Sequence, residues 1–417
     1  MSPTAVRRRL SAVAASLAVT CLFTACATDP AASRDPSQSG DGTTRASTPQ
    51  SAPVTTATAT PEPTPAPDPL ALKEGGRTAT VSMNGDLLWH TDLPDNALAH
   101  GQANGTGTYD FSLLFQDVKE MISGVDMAIC HEEVPFAPDG HPITGYPTFA
   151  APREIAPYIK DTGWDLCTTA SNHSLDAGFD GIVTTLDALD GAGILHTGTF
   201  RSPEERATPA IFTTDGGVRI GVVSGTYDTN GIPLPEGQEW SVAMLDPADM
   251  IARAEAAKAA GADIVVADIH GGDEYSMMPN QQQIDAATAL TASPAVDLVY
   301  GQHVHTVQPW TKINDKWVVY GLGNMVASQL PENRRTFEGV TADFTFSERN
   351  DGTFTVTDAG YTPTFITSYW DTGEHARLFP VNRAMQEGLW DQARLQEALD
   401  NIREAVHALG AEGMTER

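Results

Sequence analysis

The chain has 417 residues, with 54 Asp and Glu against 25 Lys and Arg, for a formal charge of −29. Its hydrophobic share of 41% can supply a sizeable core. A chain this acidic is not expected to hold nucleic acid on a broad basic face, nor to be drawn generally to anionic lipid.

Residues 1–25 read as a secretory signal. Arg7, Arg8 and Arg9 form a charged head, and Leu10 to Phe23 is an apolar run. That run is shorter than the roughly 20 residues a spanning helix needs. Thr24, Ala25 and Cys26 follow as in a bacterial lipobox, with Phe23 where Leu is usual. The expectation is cleavage before Cys26, a lipid anchor on Cys26, and residence on the outer face of the cytoplasmic membrane in the cell envelope. Arg-Arg-x-Leu at Arg7 to Leu10 leaves general and twin-arginine export both open. Residues 26–73 are rich in Thr, Ser, Ala and Pro, with TATPEPTPAPDP as the clearest stretch. Such a segment buries too little to offset its ordering entropy, so it is predicted to be an extended, mobile linker.

Of four cysteines, Cys21 lies in the signal and Cys26 is the proposed anchor. Cys130 and Cys167 sit in short apolar runs. Two are too few for a disulfide framework, and both are expected as buried thiols.

From Thr78 the chain alternates apolar runs with helical stretches. ATVSMNGD, DMAICHE, DLCTTASNH, RIGVVSGTY, DIVVADIHGG, DLVYGQHVH and KWVVYGLGN each end in a polar cluster. Between several of them lie helix patterns such as GFDGIVTTLDALDGAG and PADMIARAEAAKAAGA. This alternation predicts an α/β fold with sheet buried on both faces, and ligands beyond the carboxyl ends of the strands. GVTADFTFSERNDGTFTVTDAGYTPTF reads as antiparallel strands turning at Asn350-Asp351-Gly352. The main domain is placed at 74–370. A helical segment over 371–417, with Met385, Leu389, Leu395, Leu399, Ile402 and Val406 on one face, is expected to pack on it.

The chemistry-bearing residues cluster at strand ends. Asp86 and His90 follow the first strand, and His131, Glu132 and Glu133 end the second. Asn172, His173 and Asp176 follow the third. His270 precedes Gly271-Gly272-Asp273-Glu274. His303 and His305 end a strand beginning at Asp297, and Asn324 ends the strand through Tyr320. In a strand, His303 and His305 would face the same side and could share a metal ion. Nitrogen and oxygen donors without a thiol pair favour Mn, Fe or Zn over a cysteine-type structural zinc. Asp176 has a plainer reading as a loop cap, and Asn324 as a turn residue. Trp89, Tyr275 and Trp310 adjoin these clusters as cleft walls or as packing.

Taken in order, five motifs resemble the CapA family of capsule or poly-γ-glutamate synthesis proteins. They are MNGDLLWH, ASNHSLDAG, HGGDEY, GQHVHTVQPW and VVYGLGNM, between about Val81 and Val326. There are departures. The family's Asn-Leu-Glu on the second strand is His131-Glu132-Glu133 here, so His131 either adds a ligand or alters that corner. Gly271 stands for a Trp, and Gln302 for a His. CapA proteins are in turn similar to calcineurin-like metallophosphatases. The resemblance therefore implies a four-layer α/β/β/α sandwich holding two divalent ions. It places Asp86 and His305 on the first ion, and Asn172, His270 and His303 on the second. Glu133 lies between the two, and His173 is the general acid. His131, His90, Asp176 and Asn324 are further candidates. The implied activity is metal-dependent hydrolysis of a small phosphoester or in the synthesis or processing of a cell-surface polymer. A non-catalytic polymer-binding or export role stays open beside it.

Overall fold

The computed structural model describes residues 68–367 and 375–417. The signal, the proposed anchor Cys26 and nearly all of the linker lie outside the described residues. The linker's last residues are not free. Lys73 N donates to Glu348 O at 2.9 Å, Asn350 N donates to Ala71 O at 3.0 Å, and Lys73 Nζ pairs with Glu348 at 3.0 Å. Residues 68–73, expected within the mobile linker, are thus docked beside the hairpin at Asn350-Asp351-Gly352.

The first strands follow the apolar runs of the sequence: β1 (Thr78–Leu87), β2 (Met127–Glu132), β3 (Leu166–Thr168), β4 (Leu195–Thr197), β5 (Ala210–Thr213), β6 (Arg219–Thr226), β7 (Ile264–His270) and β8 (Leu298–Gln302). The later ones are β9 (Trp310–Ile313), β10 (Lys316–Val319), β11 (Asn324–Val326), β12 (Glu338–Glu348), β13 (Phe354–Ile366), β14 (Leu378–Pro380) and β15 (Thr415–Glu416). They form two sheets. One runs β14-β13-β12-β1-β2-β3-β4, with β11 also paired to β1 and β15 to β13. The other runs β5-β6-β7-β8-β10-β9.

Strand alternation explains the layers. On β2, Met127 and Ile129 enter the core between the sheets, whereas Ala128 and Cys130 enter an outer core. On β7, Ile264 and Val266 face between the sheets, and Val265, Ala267 and Ile269 face outward. Helices cover both outer faces. Ile155–Thr162 and Gly178–Ala192 pack on the larger sheet, Pro247–Ala259 and Gln281–Ala292 on the smaller one. The result is the four-layer α/β/β/α sandwich. The helix Gln392–His407 is shared between cores. Leu395, Ala398 and Leu399 join the outer one, Ile402, Ala405 and Val406 the one between the sheets.

The cysteines correct an expectation. Cys130 and Cys167 are not free thiols but a disulfide. They are direct partners on parallel β2 and β3, with Cα atoms 4.5 Å apart. A sequence separation of 37 residues carries no trace of that adjacency.

Candidate metal centre

The carboxyl ends of β1, β2, β7 and β8 converge at one end of the inter-sheet core. Gly85 makes the approach possible. A Cβ there would lie 2.0 Å from Gly323 O, so only glycine lets β1 close on the turn before β11. That contact pairs Asp86 with Asn324.

Alternation sorts the acidic run after β2. His131 continues the Met127–Ile129 face and points between the sheets. Glu132 turns to the outer core, where Trp89 Nε1 donates to it at 2.9 Å. Glu133 returns to the centre, buried, with neither carboxylate oxygen hydrogen-bonded. Burial, then the neighbouring Asp86, pushes Glu133 well above the usual carboxylate range.

His303 and His305 are not strand residues, contrary to expectation. β8 stops at Gln302, and both histidines take left-handed backbone, with φ of 89° and 58°. Such backbone is unfavourable for a side chain bearing Cβ, and surrounding structure must hold it. The loop still brings the rings together, with centroids 6.0 Å apart. Asn324 likewise opens β11 rather than ending the strand through Tyr320, which leaves β10 at Val319. Its Nδ2 donates to Thr336 O at 2.9 Å, which turns Oδ1 toward His305 Nδ1 at 2.9 Å. Asn324 therefore orients His305 and leaves His305 Nε2 facing Glu133 Oε1 at 3.8 Å.

Asn172 Oδ1 accepts from His270 Nε2 at 2.7 Å and from His303 Nδ1 at 3.2 Å, while its Nδ2 donates to Asn230 Oδ1 at 3.0 Å. His173 Nδ1 lies 2.6 Å from Asp176 Oδ2, and Phe149 N donates to the same oxygen at 2.7 Å. Asp176 thus orients His173 as well as tying down a loop. His90 stands apart from the donor groups. Its Nδ1 accepts from Ser328 N at 3.1 Å. His90, His173 and Tyr275 line a cleft of about 910 Å³, whose lining contains Asp92, Asp176 and Glu274 but no Lys or Arg. Trp89 and Trp310 are fully buried packing residues, whereas Tyr275 is 44% exposed at the rim.

Three groups of donor atoms lie close enough to share an ion: Asp86, His131 and His270; Glu133, His270 and His303; Asp86, Glu133 and His305. All of these residues are buried. Among the described residues, His131 Nε2, His270 Nδ1 and both Glu133 oxygens have no hydrogen-bond partner. Buried polar atoms left unpaired are costly, and their convergence is what divalent ions bound by nitrogen and oxygen would relieve. The donor set therefore fits such ions.

Electrostatics point the same way. Burial holds His131 and His90 down at about 4 and His303 at about 3, with His305 lowering His303 further. His270 is also pushed well below its ordinary value by burial and then by neighbouring imidazoles. Neutral imidazole is the form that binds metal. His305 is the exception. Burial would lower it, but Glu133 and Asp86 outweigh burial and raise it to about 10.

The sequence reading missed Thr168, Asn230 and Asp268. Asp268 is fully buried, and burial pushes its carboxyl up to about 7. A charged residue inside the apolar run IVVADIH was the available signal. Asn230, on a loop with φ of 52°, gave none.

Comparison with known proteins comes to the same region. The family model described as "Bacterial capsule synthesis protein PGA_cap" matches residues 80–329. The chain is similar to the "PGA biosynthesis protein CapA" of Bacillus subtilis, at 28% identity over 206 residues, covering 49% of this chain and 53% of that protein. It is also similar to the "Capsule biosynthesis protein CapA" of Bacillus anthracis, at 27% over 184 residues, covering 43% and 44%. The chain thus spans about half the length of these relatives. Among solved structures, the calcineurin-like phosphoesterase YfkN from Bacillus subtilis aligns over 78% of this chain and 99% of its own, at 15% identity and a TM-score of 0.42.

Proposed function

The chain belongs to the bacterial capsule synthesis protein family PGA_cap, and from that premise we propose that it is a metal-dependent hydrolase of the cell envelope. Its substrate would be a phosphoester or a linkage in a capsule or poly-γ-glutamate-type surface polymer. The carrying observation is the meeting of unpartnered buried donors, Glu133, His131 and His270, with a carboxylate-oriented His173 at the cleft.

Asp86, Glu133, Asn172, His270, His303 and His305 would hold two ions, of Mn, Fe or Zn. When bound, such ions supply Lewis-acid polarisation of substrate oxygens and a water of lowered pKa. The remaining chemistry belongs to the chain. Asp176 would accept a hydrogen bond from His173 Nδ1–H, so Nε2 is the atom left to exchange a proton with substrate. The Phe149 ring edge, with centroids 4.8 Å apart, holds the imidazole plane. His173 would then protonate the leaving oxygen, with Asp176 balancing the positive ring. Among the described residues the cleft lining contains no Lys or Arg, so a substrate anion would be met by the ions and the positive His173 ring.

Residues 1–25 would direct export, Cys26 would carry the anchor, and the segment after it would link the anchor to the folded domain, in which residues 378–380 and 415–416 are strands paired with β13 rather than part of a purely helical segment. The Cys130–Cys167 disulfide supports export, because such bonds persist in oxidising compartments.

The test is metal analysis of the purified chain with assays on aryl phosphodiesters and γ-glutamyl polymer. We expect bound divalent metal, and a loss of about 10²–10⁴ in kcat for His173→Ala at unchanged metal content. A chain that binds no divalent metal, or a His173→Ala variant as active as wild type, would sink the hydrolase reading. Metal binding without turnover would favour a polymer-binding role.

A further inference from the structure

Behind the metal centre lies a polar cluster where the sandwich would otherwise be apolar. Asp268 sits within β7, two residues before His270 and on the same face. Its cross-strand partners are Ser224 on β6 and Tyr300 on β8. Ser224 Oγ donates to Asp268 Oδ2 at 2.8 Å. In the opposite sheet, His131 is the direct partner of Thr168. His131 Nδ1 and Thr168 Oγ1 are 2.8 Å apart, and the Thr168 hydroxyl donates to Cys130 O at 3.5 Å. Asp268 Oδ2 lies 3.7 Å from His131 Nδ1.

Counting protons fixes the direction of this chain. The Thr168 hydroxyl has one proton, and the Cys130 carbonyl can only accept it. With that proton given to Cys130 O, the Thr168 oxygen must accept from His131 Nδ1–H. The neutral imidazole then carries no proton on Nε2. That atom is buried, unpartnered and 4.0 Å from Asp86 Oδ1, within the group formed with Asp86 and His270. The opposite tautomer would bury an Nε2–H too far from Asp86 to bond, and would take the Thr168 proton from Cys130 O. Only the first arrangement leaves a lone pair aimed at the centre.

We propose that Thr168, with the Asp268 carboxylate facing Nδ1 from the opposite sheet, fixes the His131 tautomer and makes His131 a metal ligand through Nε2. The inference rests on the metal-site reading above. Asp268 and Thr168 are positioning residues, since both act through His131. Partners of this kind orient imidazole ligands, and losing one typically weakens metal binding about 10–100-fold.

The test uses ¹⁵N-histidine-labelled full chain, with the His131 signals assigned by His131→Gln, and competition titrations of Zn²⁺ and Mn²⁺. In ion-free wild type, His131 is expected to show protonated Nδ1 and unprotonated Nε2. Thr168→Val should lose that preference and weaken ion binding about 10–100-fold, and Thr168→Ser should restore both. A wild-type Nε2–H tautomer, measurable even if Thr168→Val fails to fold, would overturn the assignment. So would a folded Thr168→Val that binds ions as wild type does. Absence of any ion binding by wild type would instead remove the hydrolase reading, and the ligand role with it.

Discussion

Metal binding at the His305 corner should release a proton, and the structure sets the size of the effect. Without an ion, His305 is raised to about 10. Burial opposes this, but the Glu133 and Asp86 carboxylates prevail. Asn324 occupies Nδ1, so Nε2 is the atom available to an ion. Only the deprotonated ring is a ligand, so at pH 7 the proton competes by a factor of about 10³. That competition shrinks about tenfold per pH unit up to pH ~10. Chelator competition with Zn²⁺ at pH 7, 8 and 9 should therefore give an affinity that rises about tenfold per unit. His305→Ala should flatten the slope while weakening binding. A wild-type affinity independent of pH over this range would refute the proton count at this corner.

The same shift governs stability in the chelated protein. The folded His305 lies at about 10 against an ordinary 6.5, so its contribution is complete below about 6.5 and is lost as pH rises toward 10. Thermal melts with chelator should show Tm falling over that window, and a Tm that rises instead would contradict it. Cys130→Ala removes a cross-link closing 37 residues, worth about 4 kcal/mol by loop entropy. Denaturant melts should show a loss of that order, matched in the wild type by reductant. Gly85→Ala would place a methyl group 2.0 Å from Gly323 O, forcing β1 and β11 apart. Metal titration should then show the ion held by Asp86 and His305 weakened, whereas an unchanged affinity there would argue against a shared seating of Asp86 and Asn324.

Much of the site was legible as residue types at strand ends. Asp86, His131, Glu133 and His270 needed only the rule that ligands gather at the carboxyl ends of strands buried on both faces. Local pattern failed where backbone left regular structure. His303 and His305 read as alternating strand residues, yet positive φ on a loop brings them together. No side-chain periodicity encodes that turn. Asn324 and Asp176 read as turn or cap residues, and their roles as imidazole partners depend on hydrogen bonds to Thr336 and Phe149 from elsewhere in the chain.

The amino-acid sequence by itself determined the layers, since alternation along β2 and β7 assigns each residue to one core or another. It also supplied the donor atoms of the centre. The tertiary structure decided which atoms those donors present. Cys130 meets Cys167 once β2 and β3 pair, and His131 on one sheet meets Asp268 on the other only once the sandwich closes. Tautomer, disulfide and ligand orientation are properties of atom pairs distant in the chain, and the folding of two sheets onto one core is what makes those pairs neighbours.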